Sequence, residues 1–219
     1  MAAIEYIEHP LEPVFDGRSR VLVLGTMPSP ASRRVGFYYG HPQNRFWRVL
    51  AALWDAPVPR GSAERAAFCL ERGIALWDVL AACDIAGASD ASIRNARPND
   101  LARILDAAPV GAVFTTGSKA AELYRRHDAP RWPGLPHVAL PSTSGANARM
   151  GLADLVAAYA PLRAALGAAL EEPERPRGAS EPTQRAGTGT MAPRAAATSS
   201  TGAAFTGNTR NSSSAVITG

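Results

Sequence analysis

Residues 21–47, VLVLGTMPSPASRRVGFYYGHPQNRFW, decide the fold. The stretch opens with four apolar residues followed by Gly25, a pattern typical of a strand buried on both faces of a parallel sheet. A long loop follows this strand. From Asn44 to Trp54 the large apolar residues recur at helical spacing, which predicts a helix with one buried face. Strand, loop and helix in this order form the repeating unit of an α/β sheet.

The rest of the chain continues this alternation. Predicted strands cover residues 74–80, 111–116 and 136–142, and predicted helices cover 62–72, 99–108, 118–127 and 147–170. Asn99 or Asp100, Ser118 and Asn147 are the predicted first residues or caps of the last three helices, and residues 84–98 are predicted as a loop. The fold class is therefore α/β, a three-layer α/β/α sandwich with a central parallel four-stranded sheet. Ligands on such sheets bind at the carboxyl ends of the strands, where Asp78 and the unusual loops lie.

The composition divides the chain at residue 172. Residues 173–219 consist mostly of Gly, Ser, Thr, Ala and Pro, so we predict a disordered, low-complexity basic tail. The tail holds five Arg and two Glu and carries +3 of the formal net charge of +4, so residues 1–172 form one nearly neutral domain. The tail either attracts nucleic acid without sequence preference or is a solvated extension.

Several function classes lack their sequence patterns. The absence of G-x-G-x-x-G and G-K-[ST] argues against nicotinamide and P-loop enzymes. G-x-S-x-G is also absent, which leaves a serine hydrolase acting through Ser142 as an alternative without an assigned base. Cys69 and Cys83 are the only cysteines and no H-E-x-x-H occurs, so we expect no metal and no cofactor. Without a secretory signal or a membrane-spanning run, we expect a cytoplasmic monomer with no membrane partner.

Four motifs together resemble a known family. They are GTMP at residues 25–28, YYGHPQNRFW at 38–47, GIALWDVL at 73–80 and LPSTSGAN at 140–147. The set resembles the uracil-DNA glycosylase superfamily, in which a G-x-N-P-type loop precedes H-P-x-N-x-F-W and a P-S-containing loop follows the last strand. It is most similar to the hypoxanthine-DNA glycosylase branch, over about residues 21–155.

The resemblance implies an enzyme that flips a deaminated base out of double-stranded DNA and hydrolyses its N-glycosidic bond. Tyr39 is implied to stack on the flipped base, and His41 to shape the pocket. Backbone N–H groups of Gly25, Thr26 and Met27 are implied to hold negative charge on the departing base.

The catalytic residue that the resemblance implies is Asn44. Many relatives place a water-activating Asp or Asn where Met27 stands, and other branches place a His or Asn where Leu140 stands; neither side chain here can orient water. In the hypoxanthine branch, the Asn of H-P-x-N contributes to catalysis instead, and this residue is Asn44. It is implied to position water and to hydrogen-bond the base edge.

DNA contacts are expected from two groups of residues. Ser142, Thr143 and Ser144 suit contacts to phosphates, and Ser142 is also implied in substrate binding. Arg33 and Arg34 offer guanidinium groups that can bind phosphate.

Each motif also has a structural interpretation. Asn44 can cap the helix that follows it, and His41 can form a turn. The hydroxyls of residues 142–144 can form turns or cap the last helix. Phe46 and Trp47 are expected in the core, and Asp78 and residues 89–92 are expected to orient loops or contact base edges.

Hypoxanthine is the first expected substrate and uracil the second. The alternatives are a mismatch-specific uracil/thymine-DNA glycosylase and a non-catalytic protein that binds damaged DNA. Lys119, the only lysine, falls at the start of a helix outside the motif loops. A Schiff base, and with it a lyase activity, is therefore not expected.

Overall fold

A computed structural model describes residues 3–171, which form seven strands and six α-helices. The strands are β1 (Ile4–Glu8), β2 (Val21–Gly25), β3 (Ile74–Asp78), β4 (Leu80–Ala86), β5 (Arg94–Pro98), β6 (Ala112–Thr116) and β7 (His137–Leu140). The helices are α1 (Pro30–Val35), α2 (Phe46–Leu53), α3 (Gly61–Glu71), α4 (Ala102–Leu105), α5 (Ser118–His127) and α6 (Leu152–Glu171).

Four strands form the parallel sheet that the sequence predicts. Their order is β3-β2-β6-β7, so β2 lies between two neighbours. All five residues of β2 are buried, as expected for an inner strand covered on both faces. Helices flank the sheet: α3 contacts β3, α5 contacts β6, and α6 contacts β2 and α2. The predicted α/β class is confirmed.

A second, antiparallel sheet shows that the loop predicted at residues 84–98 is wrong. Its strand order is β1-β4-β5, and β4 and β5 occupy most of residues 80–98. Strand β5 is almost entirely exposed, so it lacks the apolar alternation by which strands are recognised. Its backbone pairs with β4 in a ladder with two register shifts. Backbone hydrogen bonding, rather than side-chain burial, therefore defines this strand.

Strand β3 is shorter than predicted because the chain turns between Asp78 and Leu80. The N–H groups of Val79 and Leu80 donate to the carbonyls of Gly25 and Thr26, at 2.9 and 3.2 Å. Leu80 then begins β4. One apolar run of the sequence therefore serves both sheets.

The helix predicted to end near residue 108 ends at Leu105. Asp100 accepts from the N–H of Ala102 at 3.4 Å, as a cap does. Asn99 has another role, because its buried side-chain amide donates to the carbonyl of Asp78 at 2.9 Å. This bond ties the chain after β5 to the end of β3.

Two other helix starts differ from the prediction. Gly117 is the N-cap of α5, and Ser118 is already its first residue. The last helix begins at Leu152 rather than at Asn147. The Asn147 side chain donates to the carbonyl of Ser142 at 2.9 Å, and this bond holds the chain in a turn before the helix.

The predicted tail, residues 173–219, lies outside the described residues. The domain boundary near residue 172 stays a prediction. Across residues 3–171, no helix is both long and apolar enough to cross a membrane.

Asp128 is a buried carboxylate at the end of α5. It is 0% exposed, and neither carboxylate oxygen has a hydrogen-bond partner among residues 3–171. Burial raises the pKa of Asp128 from an ordinary value of 3.8 to about 6, against the lowering effect of Arg131. The native state therefore holds this proton more tightly than the unfolded chain. Its contribution to stability is lost as the pH rises through this window.

Replacing Asp128 with Asn removes the buried charge while keeping the shape. We expect Asp128→Asn to be more stable than the wild type at pH 7 and to lose most of that advantage at pH 4, where the native carboxyl is protonated. Urea denaturation at both pH values measures the difference. The exposed Asp106→Asn is the control. An advantage of equal size at both pH values would contradict the expectation.

Candidate active site

A cavity opens at the carboxyl ends of β2, β3 and β6, where the sequence places the site. Its volume is about 490 Å³, within the range of ligand sites in proteins. The candidate residues that line it are Gly25, Thr26, Met27, Tyr39, His41, Asn44, Ser142, Thr143 and Ser144. The structure therefore brings nine of the eleven candidates together, and Arg33 and Arg34 lie outside the lining.

Asn44 divides its two amide atoms between the fold and the cavity. Its Oδ1 accepts from the backbone N–H of Phe46 at 2.9 Å and from the hydroxyl of Thr143 at 2.8 Å. The backbone bond requires an acceptor, so it identifies the oxygen. Nδ2 has no partner among residues 3–171 and is open to solvent. Asn44 thus caps α2 with its oxygen and presents a donor to the cavity.

Tyr39 forms part of the wall in a strained conformation. Its φ of 51° lies in the left-handed region, which costs a non-glycine residue about 1–3 kcal/mol. Phe46 stacks on one face of the ring, with centroids 3.7 Å apart and planes at 15°. The hydroxyl lies 3.0 Å from Oγ1 of Thr116. Burial raises the pKa of Tyr39 well above its usual value, with the charge of Asp78 acting in the same direction, so the phenol is neutral.

The loop after β2 presents backbone donors. Within residues 3–171, nothing accepts from the N–H groups of Thr26 and Met27. The hydroxyl of Thr26 donates to Oδ2 of Asp90 at 3.1 Å, and the Met27 side chain is half-buried against the core. These N–H groups suit a ligand atom that carries negative charge.

The loop of residues 142–144 uses its hydroxyl groups in turns. The hydroxyls of Ser142 and Ser144 accept from N–H groups two residues later, each at 3.3 Å. Their own protons stay available to donate. Thr143 is 2% exposed and its hydroxyl donates to Asn44. The placement of Thr143 therefore does not fit the expected phosphate contact, because its hydroxyl is committed inside the protein.

Arg45 clamps this loop to the start of α2. Its backbone N–H donates to the carbonyl of Thr143 at 3.0 Å. Its guanidinium donates to the carbonyls of Ser144 and Asn147, at 2.9 and 2.8 Å, and to that of Met150. The guanidinium is therefore committed to the backbone, although the sequence places it among arginines suited to phosphate.

The remaining predicted cationic and aromatic residues lie around the mouth. Arg34 is exposed, whereas Arg33 is half-buried with an enclosed Nη1 that has no partner among the described residues. His41 is exposed and accepts the N–H of Gln43 on Nδ1 at 3.1 Å, which matches its turn interpretation. Of the two arginines, Arg34 is the one whose guanidinium is free to reach a phosphate.

A buried pair, His9 and Asp78, completes the wall. Nε2 of His9 lies 2.8 Å from Oδ2 of Asp78, and the two side chains are 3% and 6% exposed. Nδ1 of His9 accepts the N–H of Leu11 at 3.2 Å, so it carries no proton and Nε2 donates to the carboxylate. The sequence names Asp78 only as a loop-orienting residue. Nothing in the sequence points to His9, because the partners lie 69 positions apart.

Asp90 is the second carboxylate in the lining. Desolvation raises its pKa, the hydrogen bond from Thr26 lowers it, and the negative charge of Asp78 raises it further. Within residues 3–171, no three or more His, Cys, Asp or Glu side chains are grouped to hold a metal ion. The described side chains therefore offer hydrogen bonding, charge and an aromatic wall.

Comparison with known proteins adds independent findings. The family model described as the uracil DNA glycosylase superfamily matches residues 12–163. Hypoxanthine DNA glycosylase of Methanosarcina barkeri is 34% identical over 139 residues, which cover 63% of this chain and 86% of that protein. Its counterpart in Methanosarcina acetivorans is 33% identical over 138 residues, covering 62% and 85%.

A solved structure agrees with the fold. The solution NMR structure of a Methanosarcina acetivorans protein, assigned as a uracil DNA glycosylase, superposes with a TM-score of 0.61 at 28% identity. The match covers 73% of this chain and 99% of that one. The described parallel sheet and its flanking helices are thus shared with a protein of known structure.

The clamp on loop 142–150 is open to a direct test. Arg45→Ala leaves several carbonyls without their charged donor, so we expect a loss of about 2–3 kcal/mol in the free energy of unfolding. Hydrogen exchange of residues 143–150 should also become faster. Arg48→Ala is the control, because Arg48 is exposed in the same helix. Equal stability of the two variants would show that the clamp contributes nothing.

Gly25 allows a second test. A Cβ at this position would overlap Oδ1 of Asp78, so we expect Gly25→Ala to destabilise the protein by about 1–3 kcal/mol through overpacking. Gly134→Ala is the matched control, since a Cβ there meets nothing within 4 Å. Urea denaturation of both variants gives the comparison, and a Gly25→Ala protein as stable as the control would refute the packing argument.

Proposed function

The chain belongs to the uracil DNA glycosylase superfamily, and we propose that it excises hypoxanthine from double-stranded DNA, with uracil as its second substrate. It is a DNA glycosylase, a hydrolase of N-glycosyl bonds that acts on DNA. The preference for hypoxanthine is supported by the two relatives of that name, which match over more than four fifths of their own lengths.

The proposed reaction begins when the damaged nucleotide leaves the duplex and enters the cavity. Unstacking costs a few kcal/mol, and the cost is least for mispaired bases such as deaminated ones. Tyr39 supplies an aromatic wall whose position is held by Phe46 and Thr116. Exposed Arg34 and the hydroxyls of Ser142 and Ser144 bind phosphates beside the flipped nucleotide.

The departing base takes up negative charge as the N-glycosidic bond breaks. The N–H groups of Thr26 and Met27, which have no acceptor among residues 3–171, donate to this charge. A donor of this kind contributes about 3 kcal/mol to a transition state. No lysine is needed, since water rather than an amine attacks the sugar.

Asn44 is the observation on which the proposal rests. Both lone-pair directions of its oxygen are taken by Phe46 and Thr143, so the side chain meets the substrate only through Nδ2. It therefore acts as a hydrogen-bond donor, to the base edge or to the oxygen of a positioned water. It does not remove a proton from water.

Asn44→Asp separates these two roles of the side chain. An aspartate keeps both accepted hydrogen bonds and loses only the donor in the cavity, so we expect a folded protein with base release slower by about 100-fold or more. Asn44→Ala should lose base release and also the cap on α2, worth about 1 kcal/mol. The measurement is alkali-induced strand cleavage of labelled duplexes with one hypoxanthine, uracil, xanthine or mispaired thymine, under single-turnover conditions.

The same assay separates the alternatives. Faster release of uracil or mispaired thymine than of hypoxanthine by the wild type would favour a mismatch-specific enzyme. Binding of the damaged duplexes without release of any base would favour a non-catalytic binder, consistent with the inert side chains of Met27 and Leu140. Wild-type activity retained in Asn44→Asp would remove Asn44 from the chemistry.

A further inference from the structure

The buried pair of His9 and Asp78 is the strongest feature of the cavity that the proposed function leaves without a role. His9 follows β1 and lies outside residues 12–163, the part matched by the family model. It reaches Asp78 at the carboxyl end of β3, and its Nε2–H donates to Oδ2 at 2.8 Å. The imidazole is itself oriented by the N–H of Leu11. The carboxylate is therefore held in one orientation.

The second oxygen of this carboxylate serves no structural bond in the described residues. Oδ1 of Asp78 accepts from nothing in residues 3–171, and it is not sealed from solvent. It lies over Gly25, where any side chain would overlap it. Gly25 and Asp78 both line the cavity, so the missing side chain leaves Oδ1 as an acceptor in the wall.

Other polar atoms in the lining are less suited to accept a proton. Asn44 offers only a donor, and the thioether of Met27 is a weak acceptor. The hydroxyls of Tyr39 and Thr116 are paired with each other. Asp90 is bonded by Thr26, and its raised pKa favours the neutral form relative to an ordinary aspartate.

We propose that Asp78 is a catalytic residue, with Oδ1 holding the attacking water and accepting its proton, and that His9 is its positioning residue. This assignment rests on the proposed glycosylase function. The water oxygen bonds to C1′ of the sugar as the N-glycosidic bond breaks, and the bonding electrons leave with the base. One proton of the water passes to Oδ1 and then to the departed base. The products are the free base and a C1′ hydroxyl, and the carboxylate is restored.

The geometry also gives the carboxylate a second effect on the same step. The sugar carries positive charge in an oxocarbenium-like transition state. A fixed carboxylate beside C1′ stabilises that charge without having to reorganise. Asn44 Nδ2 and Asp78 Oδ1 then form a donor and an acceptor for one water molecule.

Asp78→Asn is a sharp test because the neighbours dictate how the amide orients. His9 donates through Nε2–H, so the amide oxygen takes the place of Oδ2 and the NH₂ group replaces Oδ1 in the cavity. The substitution thus changes an acceptor into a donor at constant shape. We expect single-turnover base release to fall by about 100-fold or more. Binding of the hypoxanthine duplex, measured by fluorescence anisotropy, should not weaken.

Control variants separate catalysis from folding. Asp106→Asn, an exposed carboxylate outside the cavity lining, should release base at the wild-type rate. His9→Ala should slow release, and His9→Gln, which restores an N–H donor, should recover part of that loss. Thermal melting of every variant identifies any loss of folded protein, and rates are compared for the folded fraction.

The outcomes distinguish this assignment from the proposed function. A wild type that releases no base from any duplex contradicts the glycosylase proposal, and the assignment of Asp78 with it. A wild type that releases hypoxanthine while folded Asp78→Asn keeps the same rate overturns the assignment alone. Loss of activity in Asp90→Asn with full activity in Asp78→Asn would transfer the role to the other carboxylate. Slow release by folded Asp78→Asn with intact binding supports the proposal.

Discussion

The register between β2 and β3 is the constraint on which the site depends. Gly25 pairs with Asp78, so both strands end at the same level. The Asp78 carboxylate takes the space that a side chain at position 25 would need. The turn at Val79 then bonds back to the end of β2 and starts the second sheet. One pairing therefore ends two strands, begins a third and places a carboxylate in the cavity wall.

Several residues serve the fold and the cavity with different atoms. Asn44 caps α2 with its oxygen and leaves its amide nitrogen open. Arg45 joins the loop of residues 142–150 to the start of the same helix, so the two motifs of the cavity are held against each other. Tyr39 accepts backbone strain because stacking on Phe46 rewards that position. In each case, removing the side chain affects stability and geometry together, and conservative replacements are needed to tell them apart.

The sequence predicts the parts of this molecule that rest on local patterns. Strand β2 and helix α2 follow from apolar periodicity, and the cavity residues follow from loops at strand ends and from motif resemblance. Strand β5 is missed because its residues are exposed and only backbone pairing defines it. The pairing of His9 with Asp78 and the clamp by Arg45 are missed because they join positions far apart in the chain. Such contacts depend on tertiary packing, which periodicity and propensity do not report.

Met27 and Leu140 deprive the cavity of polar side chains at two positions, yet the wall is not apolar. The described lining takes its carboxylates from β3 and from the turn before β5, at Asp78 and Asp90. These negative charges oppose the approach of DNA phosphates, so they weaken binding of the ground state. In the proposed reaction they also face a sugar that becomes positive as the base departs. An interaction that is unfavourable before the reaction and favourable at the transition state contributes to rate rather than to affinity.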